Sequence, residues 1–234
     1  MASDSERTIL IAGASRGLGL AMAEAFVKRG WNVIGTVRSS GRTDLHQLAD
    51  RHPEKIRVEA LDINDEDQID ALRIRLEDRR LDMLFVNAGT TTNDPLAQVG
   101  AVSADEFTRV MLTNALGPMR VIEVLQANVP ADGLIGVMSS GQGSIADNVK
   151  GSREVYRASK AALNMLMKSF AAREAEAPRP MALLAPGWIR TDLGGADAPF
   201  TMEEAVPELV DVLIAKRQRP GLEYLDRFGR TVPW

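Results

Sequence analysis

TILIAGASRGLGLAMAEAFVKRG, residues 8–30, sets a short apolar run against a glycine-rich turn and then an amphipathic stretch that stops at Gly30. The β-branched run predicts a strand over Thr8–Ala12, and the apolar spacing from Leu18 to Gly30 predicts a helix. A strand that enters a helix through glycines lets backbone N–H groups approach a phosphate at the positive end of that helix. Gly13, Gly17 and Gly19 give the spacing GxxxGxG rather than GxGxxG. A tight turn that needs small residues would look the same. Its place after the first strand of a β–α pattern favours dinucleotide binding, with Gly13, Ser15, Arg16, Gly17, Leu18 and Gly19 as the contact residues.

The pattern repeats to the end of the chain. Further strands are expected at 31–37, 57–63, 81–89, 133–140, 180–187 and 222–226. Helices are expected near 44–51, over 66–79 with Asn64 or Asp65 as N-cap, from Ser103 with Glu106 closing a capping box, through Tyr156, and over 202–217. Strands without polar alternation are buried on both faces, which requires a parallel sheet covered by helices. The expected architecture is α/β: one Rossmann-type, doubly wound parallel sheet of about seven strands in a single domain spanning 1–234.

The composition is that of an ordinary globular domain, with 45% hydrophobic and 26% charged residues over 234 positions. A net charge of −4 with no dense basic run gives no footprint for nucleic acid. Cysteine is absent, which removes disulfides, thiolate nucleophiles and cysteine-based metal sites, and no metal is expected. His46 and His52 lie in a polar stretch and read as helix-surface positions, so a Ser-His-Asp hydrolase is disfavoured. No segment has the roughly 18 apolar residues of a membrane span. MASDSER lacks the apolar core of a secretory signal, so a cytoplasmic protein is expected.

Two positions choose among dinucleotides. A carboxylate near the end of the second strand would bind the ribose hydroxyls of NAD. Val37 stands there instead, followed by Arg38. A guanidinium binds a 2′-phosphate, and Arg16 can approach from the glycine-rich turn, which favours NADP(H). Asp62, with Ile63, ends the third strand where an adenine would lie. Asn87, Ala88 and Gly89 end the fourth, where the chain must pass close to a cofactor.

Tyr156 and Lys160 share a helix face at i and i+4. An unperturbed phenol, with a pKa of about 10, is a poor acid or base at neutral pH, and a neighbouring ammonium lowers that value. Moving it to about 7 corresponds to roughly 4 kcal/mol of differential interaction. The spacing alone would equally fit an exposed helix. Ser139 and Ser140, ending the fifth strand, supply hydroxyls nearby.

AGASRGLG, LDI, VNAG, Asn114, SS, YRASK and PGWIRTDL, in this order, resemble the short-chain dehydrogenase/reductase family over almost the whole chain. The resemblance implies that Tyr156 is the catalytic acid/base and that Lys160 lowers its pKa and binds the nicotinamide ribose. It implies that Ser140 polarises the substrate oxygen, Ser139 being structural, and that Asn114 holds a water in the proton relay. Pro186, Gly187, Ile189 and Thr191 match the segment that contacts the nicotinamide. SSGQGSIADN, PGWIRTDLGG and TVPW are similar to the branch containing the C-factor signalling protein and the Sniffer carbonyl reductase. Sixteen positions separate Ser140 from Tyr156, slightly more than in many relatives.

The expected activity is NADP(H)-dependent reduction of a ketone, aldehyde or quinone to an alcohol. An NADP-binding signalling protein with little turnover is the alternative, and an isomerase or dehydratase on the same scaffold a further one. Residues 90–95, 142–148, Trp188 and 193–202 are expected around the substrate, the last as a lid or as an ordinary loop. A small carbonyl or alcohol partner and a homodimer or homotetramer complete the expectation.

Overall fold

The computed structural model describes residues 7–38, 41–176 and 178–234. The MASDSER stretch falls, except for Arg7, outside the described residues. Seven strands alternate with helices: β1 (Thr8–Ala12), β2 (Asn32–Val37), β3 (Ile56–Ala60), β4 (Met83–Val86), β5 (Leu134–Met138), β6 (Pro180–Ala185) and β7 (Gly221–Asp226). They form one sheet in the order β3-β2-β1-β4-β5-β6-β7, and every pairing is parallel. Strand β4 is buried at every position, as is β5. Only a sheet covered on both faces accepts such strands.

The period of two along each strand sorts the core into two clusters. Ile9, Ile11, Val33 and Phe85 pack with Met22 and Phe26 of α1 (Gly17–Lys28), Leu45 and Leu48 of α2 (Asp44–Arg51), and Leu209 and Leu213 of α7 (Met202–Lys216). Leu10, Ile34, Leu84, Val86 and Val137 pack with Ile69 and Leu72 of α3 (Glu66–Arg75), Ile122 of α5 (Gly117–Leu125), and Leu163 and Met167 of α6 (Glu154–Arg173). Full burial of a side chain such as Phe26 contributes about 1.5–3 kcal/mol. Chain connections run outward from the β1–β4 pair in both directions, so a crevice opens at the carboxyl ends of these two strands.

Local departures from the expected elements have local causes. Helix α3 ends at Arg75, four residues short of the expected end. Asp65, not Asn64, is its N-cap and accepts from Gln68 N at 3.1 Å. The helix starting after Ser103 is not continuous: α4 (Ala104–Met111) passes into a π-turn at Leu112–Leu116 before α5. Its capping box is half made. Ser103 accepts from Glu106 N, but the Glu106 carboxylate accepts instead from Asn93 N at 2.5 Å. His46 completes a capping box for α2, its ring nitrogen lying 3.1 Å from Thr43 N. Among the described residues no helix is long and apolar enough to cross a membrane, and no cluster of His, Asp or Glu is placed to hold a metal ion.

Candidate active site

The β1–α1 turn and the end of β4 are built against each other. Gly13 has φ +89°, and a Cβ there would lie 2.9 Å from the backbone of Ala88. Asn87 donates from Nδ2 to Gly13 O at 2.8 Å, and Gly13 N donates to Thr36 Oγ1 at 3.0 Å. These bonds fix the turn so that α1 opens at Gly17, φ +56°. No side chain caps α1 and no acid stands in its first turn. Its free N–H groups and positive dipole end therefore remain available to an anion. Gly19 is buried, and a Cβ on it would collide with Gly13 O and approach Asn87 Nδ2 to 2.6 Å. Its lack of a side chain permits close helix–strand packing.

The crevice is a cleft of about 760 Å³. Gly13, Ser15, Arg16, Gly17, Leu18, Arg38, Asp62, Ile63, Asn87, Ala88 and Gly89 line one end. Ser140, Tyr156, Lys160, Pro186, Gly187, Ile189 and Thr191 line the other. Next to the first end, Ser15, Arg16, Arg38, Thr43 and Asp44 border a hollow of about 310 Å³. Two guanidinium groups against one carboxylate leave it net positive, which suits a terminal phosphate. The composition of this half fits a phosphorylated dinucleotide: an uncapped helix end, glycines that admit its backbone, and paired arginines. Arg16 is also ion-paired with Asp192. Both side chains are exposed, so the pair is weak and open to exchange for a ligand anion. Asp62 is half-buried and accepts from Asn64 N at 2.9 Å.

At the other end, β5 stops at Met138 and places two serines with different surroundings. Ser139 Oγ is buried and donates to Asn164 Oδ1 at 2.6 Å. Ser140 lines the cleft, accepts from Gln142 N at 3.1 Å and is near enough to Tyr156 to pull the pKa of its phenol down. Tyr224 of β7 donates to the Ser140 carbonyl and so ties the last strand to this loop. Tyr156 and Lys160 face the same cleft from α6, at 7% and 3% exposure.

Their electrostatics differ from the expectation. Burial raises the Tyr156 pKa above its usual value, while the Ser140 hydrogen bond and the Arg153 guanidinium pull the other way without overcoming it. The Lys160 ammonium lies 5.9 Å from the ring centroid and donates to Met138 O at 2.9 Å. Burial lowers Lys160 itself to about 8. Desolvation thus outweighs the charge–charge contact that the i, i+4 spacing suggests.

Asn114 sits inside the π-turn, fully buried, and does not line the cleft. Its Oδ1 accepts from Thr90 N at 2.8 Å. Its Nδ2 donates to Thr90 O at 2.8 Å and to Ser159 Oγ at 2.9 Å. Both amide hydrogens are therefore committed, and only a lone pair on Oδ1 is left. A Cβ on Gly89 would lie 3.4 Å from that oxygen and 3.5 Å from Lys160 Nζ.

The segment after β6 is tied down. Arg190 N donates to Phe200 O at 2.9 Å, Arg190 Nε to Ala198 O at 2.7 Å, and Trp188 Nε1 to Gly194 O at 2.7 Å. These bonds fold residues 188–200 into a compact flap of which Trp188, Leu193 and Gly194 line the cleft. Arg109, Thr113 and Arg153 also line it and were not anticipated. Arg109 has no motif around it. Arg153, three residues before Tyr156, had a sequence signal only in its nearness to that residue.

A family model described as short chain dehydrogenase matches residues 7–199. A Burkholderia multivorans protein of short-chain dehydrogenase/reductase type, crystallised with bound NADP, is 62% identical with a TM-score of 0.97, covering 98% of this chain and 100% of that chain. A carbonyl reductase from Pseudomonas aeruginosa PAO1 in complex with NADP is 35% identical with a TM-score of 0.88, covering 98% of this chain and 100% of that chain. C-signal of Myxococcus xanthus is 32% identical over 156 residues, 66% of this chain and 93% of that protein.

Proposed function

The chain belongs to the short-chain dehydrogenase/reductase family of oxidoreductases, and on that premise we propose that it uses NADPH to reduce a ketone, aldehyde or quinone to an alcohol. The observation that carries this reading is the meeting of Ser140 and the buried Tyr156 and Lys160 side chains in one cleft, at the end opposite the glycine-rich turn and its arginines. A hydroxyl pair facing a common space can donate to one carbonyl oxygen, in a cleft whose far end fits a phosphorylated dinucleotide.

Gly13, Ser15, Gly17 and Leu18 would hold the pyrophosphate, Arg16 and Arg38 the 2′-phosphate, and Asp62 and Ile63 the adenine. The hydride added to the carbonyl carbon comes from the bound NADPH. Ser140 and Tyr156 donate hydrogen bonds to the carbonyl oxygen and stabilise the negative charge that grows there. Tyr156 then gives that oxygen its proton. Lys160, charged below about 8, returns a proton to Tyr156 through water. The remaining lone pair of Asn114 Oδ1 accepts from that water, in the space that Gly89 leaves open.

A screen of ketones, aldehydes and quinones with NADPH and NADH tests the reading. NADPH consumption matched by alcohol formation supports it. Tight NADPH binding without turnover across the panel would favour the regulatory role, to which the similarity to C-signal lends weight. Product formed with no net NADPH loss would mean an isomerase or dehydratase. Assembly as a homodimer or homotetramer in the cytoplasm belongs to the same proposal. A groove of about 530 Å³ between α3, α5 and α6, lined by Leu116, Met119, Leu166 and Phe170 among others, offers the apolar face.

A further inference from the structure

Ser152 and Arg153 are the only residues other than glycine with positive φ among the described residues, at +53° and +52°. They follow Gly151, at +62°, so three successive residues adopt the left-handed region just before α6. Such a conformation is unfavourable for a residue with a Cβ, and its occurrence beside a catalytic helix asks what it achieves. Its visible result is that the Arg153 guanidinium lies 5.0 Å from the centroid of the Tyr156 ring. No ion pair involves this guanidinium among the described residues, and its Nε and Nη2 are buried without a hydrogen-bond partner.

An arginine neutralised by a carboxylate would exert little net field on its neighbour. Arg153 is not neutralised. The adjacent Glu154 carboxylate accepts instead from Val99 N at 2.7 Å. Other charged or titratable groups around the phenol are few. Lys160 lies farther from the ring, at 5.9 Å, on the same helix. Tyr224 approaches from β7 and Ser140 from the β5 loop. Arg109, from α4, lines the same cleft but is held by Thr90 Oγ1 at 3.0 Å and Thr91 O at 3.0 Å. A cation over the face of an aromatic ring is attracted to the neutral ring and far more strongly to a phenolate.

We infer that Arg153 is a positioning residue for proton transfer: its unpaired guanidinium, laid over the Tyr156 ring, stabilises the phenolate left when Tyr156 gives its proton to the substrate oxygen. The step balances without a further reactant. The tyrosine O–H bond breaks, its electron pair stays on the phenolic oxygen, and the proton forms the O–H bond of the alcohol. The inference rests on the reading of Tyr156 as the acid. It adds a second cation to that reading and explains why strain is concentrated at Ser152 and Arg153.

The test has one arm that needs neither cofactor nor substrate. The chain has two tyrosines, so the ultraviolet titration of wild type minus that of Tyr156→Phe isolates the Tyr156 transition. Recorded by stopped-flow alkaline jump, ahead of unfolding, its midpoint is expected to rise by about half a pH unit or more in Arg153→Gln and to stay near wild type in Arg153→Lys. The second arm uses 4-nitrobenzaldehyde and 9,10-phenanthrenequinone with NADPH. Arg153→Gln is expected to lower kcat roughly tenfold or more, with KM for the carbonyl within about twofold and a larger solvent deuterium effect on kcat, and Arg153→Lys to recover most of the loss. A Tyr156 midpoint unmoved by Arg153→Gln overturns the inference whatever the kinetics. So does a loss shared by kcat and KM that lysine does not rescue. Absence of NADPH turnover by the wild type overturns the reductase reading instead, since the titration does not depend on it.

Discussion

Lys160 Nζ donates to the carbonyl oxygen of Met138, 2.9 Å away at the end of β5. This bond pins the ammonium below the end of the strand, where burial lowers its pKa to about 8. Below that value Lys160 carries the proton that the proposed relay would deliver, and above it the proton is gone. The rate of carbonyl reduction should therefore fall as pH rises through about 8. Tyr156, raised by burial, stays protonated across the same range and adds no second limb. Lys160→Met should lower kcat and abolish the step near pH 8. A profile of kcat against pH from 6 to about 10, for both proteins, checks this.

Tyr156→Phe removes the hydroxyl and keeps the ring that packs at 7% exposure. The fold should be preserved and kcat reduced by roughly 10²–10⁴-fold, the usual worth of a positioned acid. Binding of NADPH, followed by fluorescence titration, should change by less than about threefold. Full carbonyl reductase activity in this variant would remove Tyr156 from the chemistry.

Gly89 and Gly19 predict opposite kinds of damage. Gly89 has no positive φ, and a methyl group there would meet Asn114 Oδ1 at 3.4 Å and Lys160 Nζ at 3.5 Å. Gly89→Ala should fold with a melting temperature close to wild type but lose roughly tenfold in kcat, because the methyl would occupy the space that the proposed return of the proton uses. Gly19→Ala instead drives a Cβ into Gly13 O. It should destabilise the fold by about 1–3 kcal/mol or more, which thermal unfolding would register before any assay.

Arg38 borders both the cleft and the smaller hollow beside it. Arg38→Ala should raise KM for NADPH roughly 10- to 100-fold and leave KM for NADH nearly unchanged, since only the former carries the 2′-phosphate. Equal changes for the two cofactors would mean that the hollow does not read that phosphate.

The sheet was legible because its strands are buried on both faces and therefore read as unbroken apolar runs, from TILIA at β1 to PMALLA at β6. The site was legible where small residues are sterically required, as at Gly13 against Ala88. Other features were hidden for physical reasons. LTNAL, residues 112–116, has a pattern compatible with an ordinary helix, so nothing announced the π-turn that carries Asn114. The i, i+4 spacing of Tyr156 and Lys160 shows that two groups are neighbours but not how deeply they are buried, and burial decides the direction of both pKa shifts. The left-handed Ser152 and Arg153 have no compositional mark, because neither residue type prefers that region.

Ser139 and Ser140 are adjacent hydroxyls that sequence alone separates only by analogy, and their surroundings now separate them physically. Ser139 Oγ is enclosed and donates to Asn164 Oδ1, whose Nδ2 in turn donates to Gly143 O at 3.2 Å. Removing it leaves a buried acceptor without its donor, which costs about 1–3 kcal/mol. Ser139→Ala should therefore lower the melting temperature while kcat of the folded fraction stays within about threefold of wild type. Ser140 is half-buried in the cleft and near the Tyr156 phenol. Its loss removes one of two donors to the developing oxyanion, a change worth roughly 10²-fold in kcat. Ser140→Ala should melt near wild type and be nearly inactive. Thermal unfolding and steady-state kinetics on the two variants decide the matter, and an inactive Ser139→Ala beside an active Ser140→Ala would reverse the assignment.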